Sequence, residues 1–318
     1  RNLVSKCSGR TNRFPNCLIS WPAGLHFNQV KVRSPVKLFS SECIPNTSGD
    51  LGEGLLWDER NETIMWVDAF KKIVNVWHPA TKNLKSKEFD SIVTSIAKRE
   101  SGGYVVAAGL KLIELNENLD LTGASPLEMP FDNVRTNDGN VDINGNYWVG
   151  AFANDAKPHQ GNLRRISPNL DSKVFLKDIT IANGMDWSLD NKICYYIDTP
   201  TKKVSRFKFN IETSEIEDEL EAIDVSEYSG APDGMCVDAL GNLWVAFWGG
   251  GCVRSFSPSG ELLAQVVVAS TLVTNCAFGG SDLSTLYITC AVASYDESIT
   301  GEEPLAGSLF KADVGAQG

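Results

Sequence analysis

The sequence predicts an all-β protein folded as a six-bladed β-propeller. Three observations carry that reading: a turn-rich composition, a repeat in the low-to-mid forties of residues, and a polar residue recurring at one place in the repeat. The chain has 318 residues with 27 Gly, 8 Trp and only 4 Met. That balance favours short strands and tight turns over a helical bundle.

The repeat is clearest in six aromatic and β-branched runs. They are Thr-Ile-Met-Trp-Val-Asp at 63–68, Gly-Gly-Tyr-Val-Val-Ala at 102–107, Gly-Asn-Tyr-Trp-Val-Gly at 145–150, Lys-Ile-Cys-Tyr-Tyr-Ile-Asp at 192–198, Gly-Asn-Leu-Trp-Val-Ala at 241–246 and Thr-Leu-Tyr-Ile-Thr at 285–289. Trp66, Val105, Trp148, Tyr196, Trp244 and Tyr287 occupy equivalent places, spaced by 39, 43, 48, 48 and 43 residues. That period is the size of one four-stranded propeller blade.

A second feature precedes each run: Gly52-Glu53-Gly54, Thr94-Ser95, Asn137-Asp138-Gly139, Asn183-Gly184, Asp233-Gly234 and Thr274-Asn275. Each reads as the first strand of a blade, followed by a turn such as Asp-Ile-Asn-Gly at 142–145 or Asp-Ala-Leu-Gly at 238–241. Third strands recur at 74–77, 111–115, 204–209 and 252–256. The domain reading is therefore a basic N-terminal extension at 1–36 and a propeller at 37–318.

First strands line a propeller's central channel, so Glu53, Asn137, Asn183 and Asp233 should gather at one end of it. Asn-Gly and Asp-Gly also simply make turns, but four polar residues in one register argue for a site. The set is all oxygen, with no His or Cys. It suits one hard divalent cation, Ca²⁺ first, with Mg²⁺ or Mn²⁺ possible and Zn²⁺ less natural on such donors. His26, His78 and His159 form no motif, and HExxH, GxSxG, a P-loop and GxGxxG are all absent.

Charge bounds the partners. Twenty-nine basic against 40 acidic side chains give a net charge of −11, which argues against a nucleic-acid partner. No apolar run is long enough to span a bilayer, so no membrane partner is expected. Residues 1–41 hold seven basic side chains and no acid. Such a leader reads as a surface arm or as a targeting segment. A cytoplasmic location is the expectation, while eight cysteines without a CxxC pair and two sequons, at Asn46 and Asn61, leave secreted or organellar placement open. Oligomeric state is not legible.

Several stretches together resemble one family. Leu-Gly-Glu-Gly-Leu-Leu-Trp-Asp at 51–58, Arg-Thr-Asn-Asp-Gly-Asn-Val-Asp at 135–142, Asn-Gly-Met-Asp-Trp-Ser-Leu-Asp at 183–190 and the run from Pro232 to Ala246 closely resemble the regucalcin (senescence marker protein), gluconolactonase and luciferin-regenerating enzyme family. Cys-Ala-Phe-Gly-Gly at 276–280 and Pro-Leu-Ala-Gly-Ser-Leu-Phe at 304–310 extend the likeness over about 37–318. The resemblance implies a metal-dependent lactonase acting on a small sugar lactone. By position it implies Glu53, Asn183 and Asp233 as metal ligands, with Asp233 also the acid/base. Arg135 and Asn137 then match substrate-contacting residues. Asn154 stands where regucalcin-like members carry the first of two adjacent acids, and the 151–161 loop looks shorter than theirs, which leaves substrate choice open. A calcium-binding regulatory protein and a related hydrolase of luciferin-regenerating or phosphotriester type are the rival readings.

Because the repeat begins after the leader, deleting residues 1–34 is expected to leave folding and cation binding intact. Thermal unfolding checks this; a large fall in the midpoint would mean that Trp21, Leu25 and Phe27 pack on a blade.

Overall fold

A computed structural model of the chain describes residues 35–129, 133–296 and 301–318. Residues 1–34 therefore lie outside the described residues, as does the reading of the leader as a surface arm or a targeting segment.

The described chain forms six sheets, each one blade. Their innermost strands are Gly52–Asp58, Val93–Lys98, Val134–Val141, Ala182–Trp187, Ala231–Val237 and Val273–Gly279. Each is followed by a second strand carrying the aromatic run, and blades one to four finish with two further strands in sequence order. The strand carrying Trp148 runs Tyr147–Ala153, so it extends past the Gly150 boundary read from the sequence and brings Phe152 into the sheet.

Closure uses the start of the described chain. Glu42–Cys43 supplies the outermost strand of blade six, pairing antiparallel with Phe310–Asp313. Before that, Lys37–Ser40 runs parallel to Leu262–Val267 and gives blade five a fifth strand. The sequence pattern did not show this fifth strand, because the segment must travel along one blade's edge to reach the next. It also covers an edge that would otherwise offer unpaired backbone groups.

A propeller has no single central core, since its axis is a channel. The apolar material lies between blades instead. Trp148, Trp187, Phe207 and Phe209 pack blade three on blade four. Ile44, Trp57, Trp66, Trp77 and Tyr287 seal blade six to blade one across the closure. Similar clusters fill the other four junctions. Among the described residues no helix is long and apolar enough to cross a membrane.

Two blades share a device that sets their first turn. Asp142 accepts bonds from the backbone N–H of Asn144 (3.0 Å) and Asn146 (2.9 Å), while its Oδ2 accepts the Trp148 indole N–H at 2.9 Å. Asp238 repeats this with Leu240, Asn242 and Trp244. One buried carboxylate thus ties the turn to the aromatic anchor of the next strand, an Asp-x-x-Gly-Asn-x-Trp pattern in both. Asp142→Ala strands several buried donors and is expected to cost about 3 kcal/mol. Glu42→Ala, which removes the exposed pair with Lys311, should stay within about 0.5 kcal/mol. Chemical denaturation of both variants measures the contrast; equal losses would contradict the assignment.

Candidate cation and substrate site

Every innermost strand carries a register break at the same place. The pairing shifts between Glu53 and Leu56, Val93 and Ser95, Thr136 and Gly139, Ala182 and Met185, Pro232 and Met235, and Val273 and Asn275. A bulge re-aims the side chains it contains. Asn137, Asn183 and Asp233 lie inside bulges, and Glu53 is the last paired residue before one. The glycines that follow have a steric reason. Gly54 sits at φ +55°, and a Cβ on Gly184 would come within 2.7 Å of the Asp233 carbonyl oxygen.

Hydrogen bonds link the re-aimed residues across blades three, four and five. Arg135 Nη1 donates to Asn137 Oδ1 at 3.0 Å, and Asn137 Nδ2 donates to Asn183 Oδ1 at 2.9 Å and to the Ala182 carbonyl at 2.7 Å. Asn183 Nδ2 donates to Thr199 Oγ1 at 2.7 Å, which donates to the Pro232 carbonyl at 2.8 Å, next to Asp233. Each amide is held by its neighbour, so the Asn183 oxygen has a fixed direction. Arg135 also lies over the Phe152 ring, 4.4 Å from its centroid.

The carboxylates are held where their charges are costly. Asp233 is 4% exposed, and its Oδ1 has no hydrogen-bond partner. Desolvation and then the Asp138 charge push its carboxyl well above the usual range. Glu53 is half-buried on the channel. Its carboxyl is also pushed well up, by desolvation first and then by the Asp233 and Asp138 charges; Arg135 and a hydrogen bond from Asn275 offset part of this. Burial pushes the Arg135 guanidinium down to about 10, so it stays charged at neutral pH. Asp138, whose Oδ2 accepts from Asn275 Nδ2 at 3.3 Å, is raised to about 6 by desolvation. Beyond it the channel opens into a cavity of about 510 Å³ bordered by Asp186, Cys236 and Cys276.

Buried like charges and an orphaned carboxylate oxygen fit a divalent cation, because a positive charge satisfies both at once. Among the described residues no three His, Cys, Asp or Glu side chains form a metal cluster; the fit here rests on two carboxylates and an amide oxygen. Asn154 stands apart from this network. It is exposed at the rim, with its Nδ2 donating to Asn133 Oδ1 at 3.2 Å. The sequence reading missed Thr199, Phe152 and the Asn275–Asp138 contact. Thr199 follows the aromatic run of blade four, a position where the repeat carries no common residue type.

The family model for the SMP-30/gluconolactonase/LRE-like region matches residues 51–292. The chain belongs to this family. Within it, regucalcin of Oryctolagus cuniculus is 36% identical over 85% of this chain and 93% of its own. The solved structure of a luciferin-regenerating enzyme superposes with a TM-score of 0.82 at 30% identity, covering 88% of this chain and 97% of that one. Regucalcin from Agrobacterium tumefaciens, described as a calcium-binding protein, gives 0.83 at 25% identity over 90% and 97%. This SMP-30/gluconolactonase/LRE-like chain is accordingly a six-bladed propeller, as its repeat predicts.

Removing one of the three repelling carboxylates, Glu53, Asp138 and Asp233, should stabilise the cation-free protein. Asp233→Asn is expected to raise the unfolding free energy in EDTA at neutral pH, because a carboxyl pushed up on folding costs stability wherever it must ionise. The same change should shrink the stabilisation gained on adding Ca²⁺. Thermal scans with and without the cation read both; an equal loss in the two conditions would contradict the shared-charge account.

Proposed function

We propose that the chain is a divalent-metal-dependent hydrolase that opens a small sugar lactone, with Glu53, Asn183 and Asp233 holding the cation. The observation that carries this is the buried Asp233 Oδ1, which has no protein partner and lies in a channel with a second raised carboxyl. The family's description includes gluconolactonase, and one relative at 25% identity is described as calcium-binding; both support the reading.

When bound, the cation would polarise the lactone carbonyl and make a nearby water more acidic. The protein's own groups do the rest. Asp233, ionised beside a positive charge, takes the proton as the water oxygen bonds to the carbonyl carbon. It returns that proton to the ring oxygen as the acyl C–O bond breaks. Arg135, fixed by Asn137 and the Phe152 face, hydrogen-bonds ring hydroxyls and then the new carboxylate. Asn137 spends its amide protons on Asn183 and Ala182, so its part is to orient Asn183 and Arg135. Asn154 offers an uncharged contact at the rim.

Proton release from δ-gluconolactone, with and without EDTA, tests the proposal. Turnover should require the cation. Asp233→Asn should lower kcat about a hundredfold or more, the scale of losing a positioned general base. Asn183→Ala should recover in part at saturating cation. Cation binding without turnover of any lactone would instead favour the regulatory reading, and near-normal turnover by Asp233→Asn would remove its proton-transfer role.

A further inference from the structure

The rim of the channel at the Glu53 end is chemically divided. On blades three and four it is polar, with Arg135, Asn133, Asn154 and Thr199. On the opposite sector Leu51, Ala69, Leu272 and Ala291 form one buried apolar cluster, with Trp248 packed on it. Next to that cluster in the chain, two aromatic side chains stand in the open. Phe70 and Tyr295 are each 41% exposed, and their rings lie 5.3 Å apart at 34°. A single exposed aromatic needs no explanation; a contacting pair held beside a candidate site does.

Both rings sit on turns that are hydrogen-bonded to the same short stretch of backbone, Asp50 and Leu51. Asp68 accepts the backbone N–H groups of Asp50 (2.7 Å), Leu51 (3.3 Å) and Lys71 (3.2 Å), and Ala69 N–H donates to the Leu51 carbonyl at 2.9 Å. That fixes the turn bearing Phe70. From blade six, Val292 N–H donates to the Asp50 carbonyl at 2.9 Å, and Tyr295 N–H to the Val292 carbonyl at 3.2 Å. Leu51 is two residues from Glu53, about 7 Å along the strand. The pair is thus registered to the site by direct backbone bonds.

We propose that Phe70 and Tyr295 form an apolar subsite, so that the preferred sugar lactone carries an aryl or alkyl substituent beside its ring hydroxyls. This rests on the lactone reading of the site. The polar sector orients the ring and its carbonyl, while the aromatic pair takes the substituent by stacking and by burying its surface. Phe70 and Tyr295 set specificity and take no part in proton transfer.

The test uses the full chain loaded with Ca²⁺ and two hydrolysis-resistant probes, γ-butyrolactam and its γ-phenyl derivative, with binding read by calorimetry. The phenyl probe should bind wild-type protein at least tenfold more tightly than the unsubstituted one. Phe70→Ala and Tyr295→Ala should each remove most of that gain, leaving the affinity for γ-butyrolactam unchanged, and Phe70→Tyr should restore it. With the matching lactones the loss should fall in KM and not in kcat. No phenyl preference in wild type, or a preference kept by both alanine variants, overturns the proposal. Because lactam binding is read without turnover, failure of lactone hydrolysis alone would strike the lactonase reading and leave this contrast to be judged by itself.

Discussion

The burial of Glu53 and Asp233 beside the Asp138 charge is the constraint on which the candidate site depends. They lie on blades one and five, so only ring closure brings them within reach of each other. Desolvation acts on both, and in each case it is the largest cause of a carboxyl pushed up from its ordinary range. A fold that holds two acids in this way gains nothing from them unless something positive joins them. Arg135, the cationic side chain whose charge reaches Glu53, offsets only part of the effect there.

The scaffold keeps those groups from relaxing apart. Each sits at a bulge on an innermost strand, flanked by apolar junctions that run right round the ring. The closing junction depends on Glu42–Cys43 and on Ile44, so a short segment on the outer edge of blade six holds the site's blades in place. The hydrogen-bond chain from Arg135 to Thr199 then fixes the amides between them. Preorganisation of this kind is what lets a few polar groups act strongly.

Much of this was legible in the sequence, and for a physical reason. A propeller repeats one structural unit, so Trp66, Trp148 and Trp244 could be aligned by spacing, and the polar residues before them then shared a register. The ends of the blades were harder. Ala151, Phe152 and Ala153 continue a strand, but their small or apolar side chains give no period that distinguishes strand from loop. The fifth strand of blade five is set by the path of the chain between blades, which no local pattern encodes. Thr199 was invisible because it acts through a single hydroxyl in a turn. The aromatic pair of Phe70 and Tyr295 joins residues from the first and last blades, a proximity that only closure creates.

The most direct measurement is calorimetric titration of Ca²⁺ into EDTA-treated, dialysed protein near pH 6, in two buffers of different ionisation enthalpy. A group whose folded pKa is raised holds its proton above its unfolded value, and a cation favouring the anion must displace it. The account predicts one site per chain with net proton release that fades as pH rises and the carboxyls ionise unaided. It also predicts that Asp233→Asn lowers the release. Binding with the same heat in both buffers at every pH, or no saturable site at all, would contradict the claim that Glu53 and Asp233 are poised for a divalent cation.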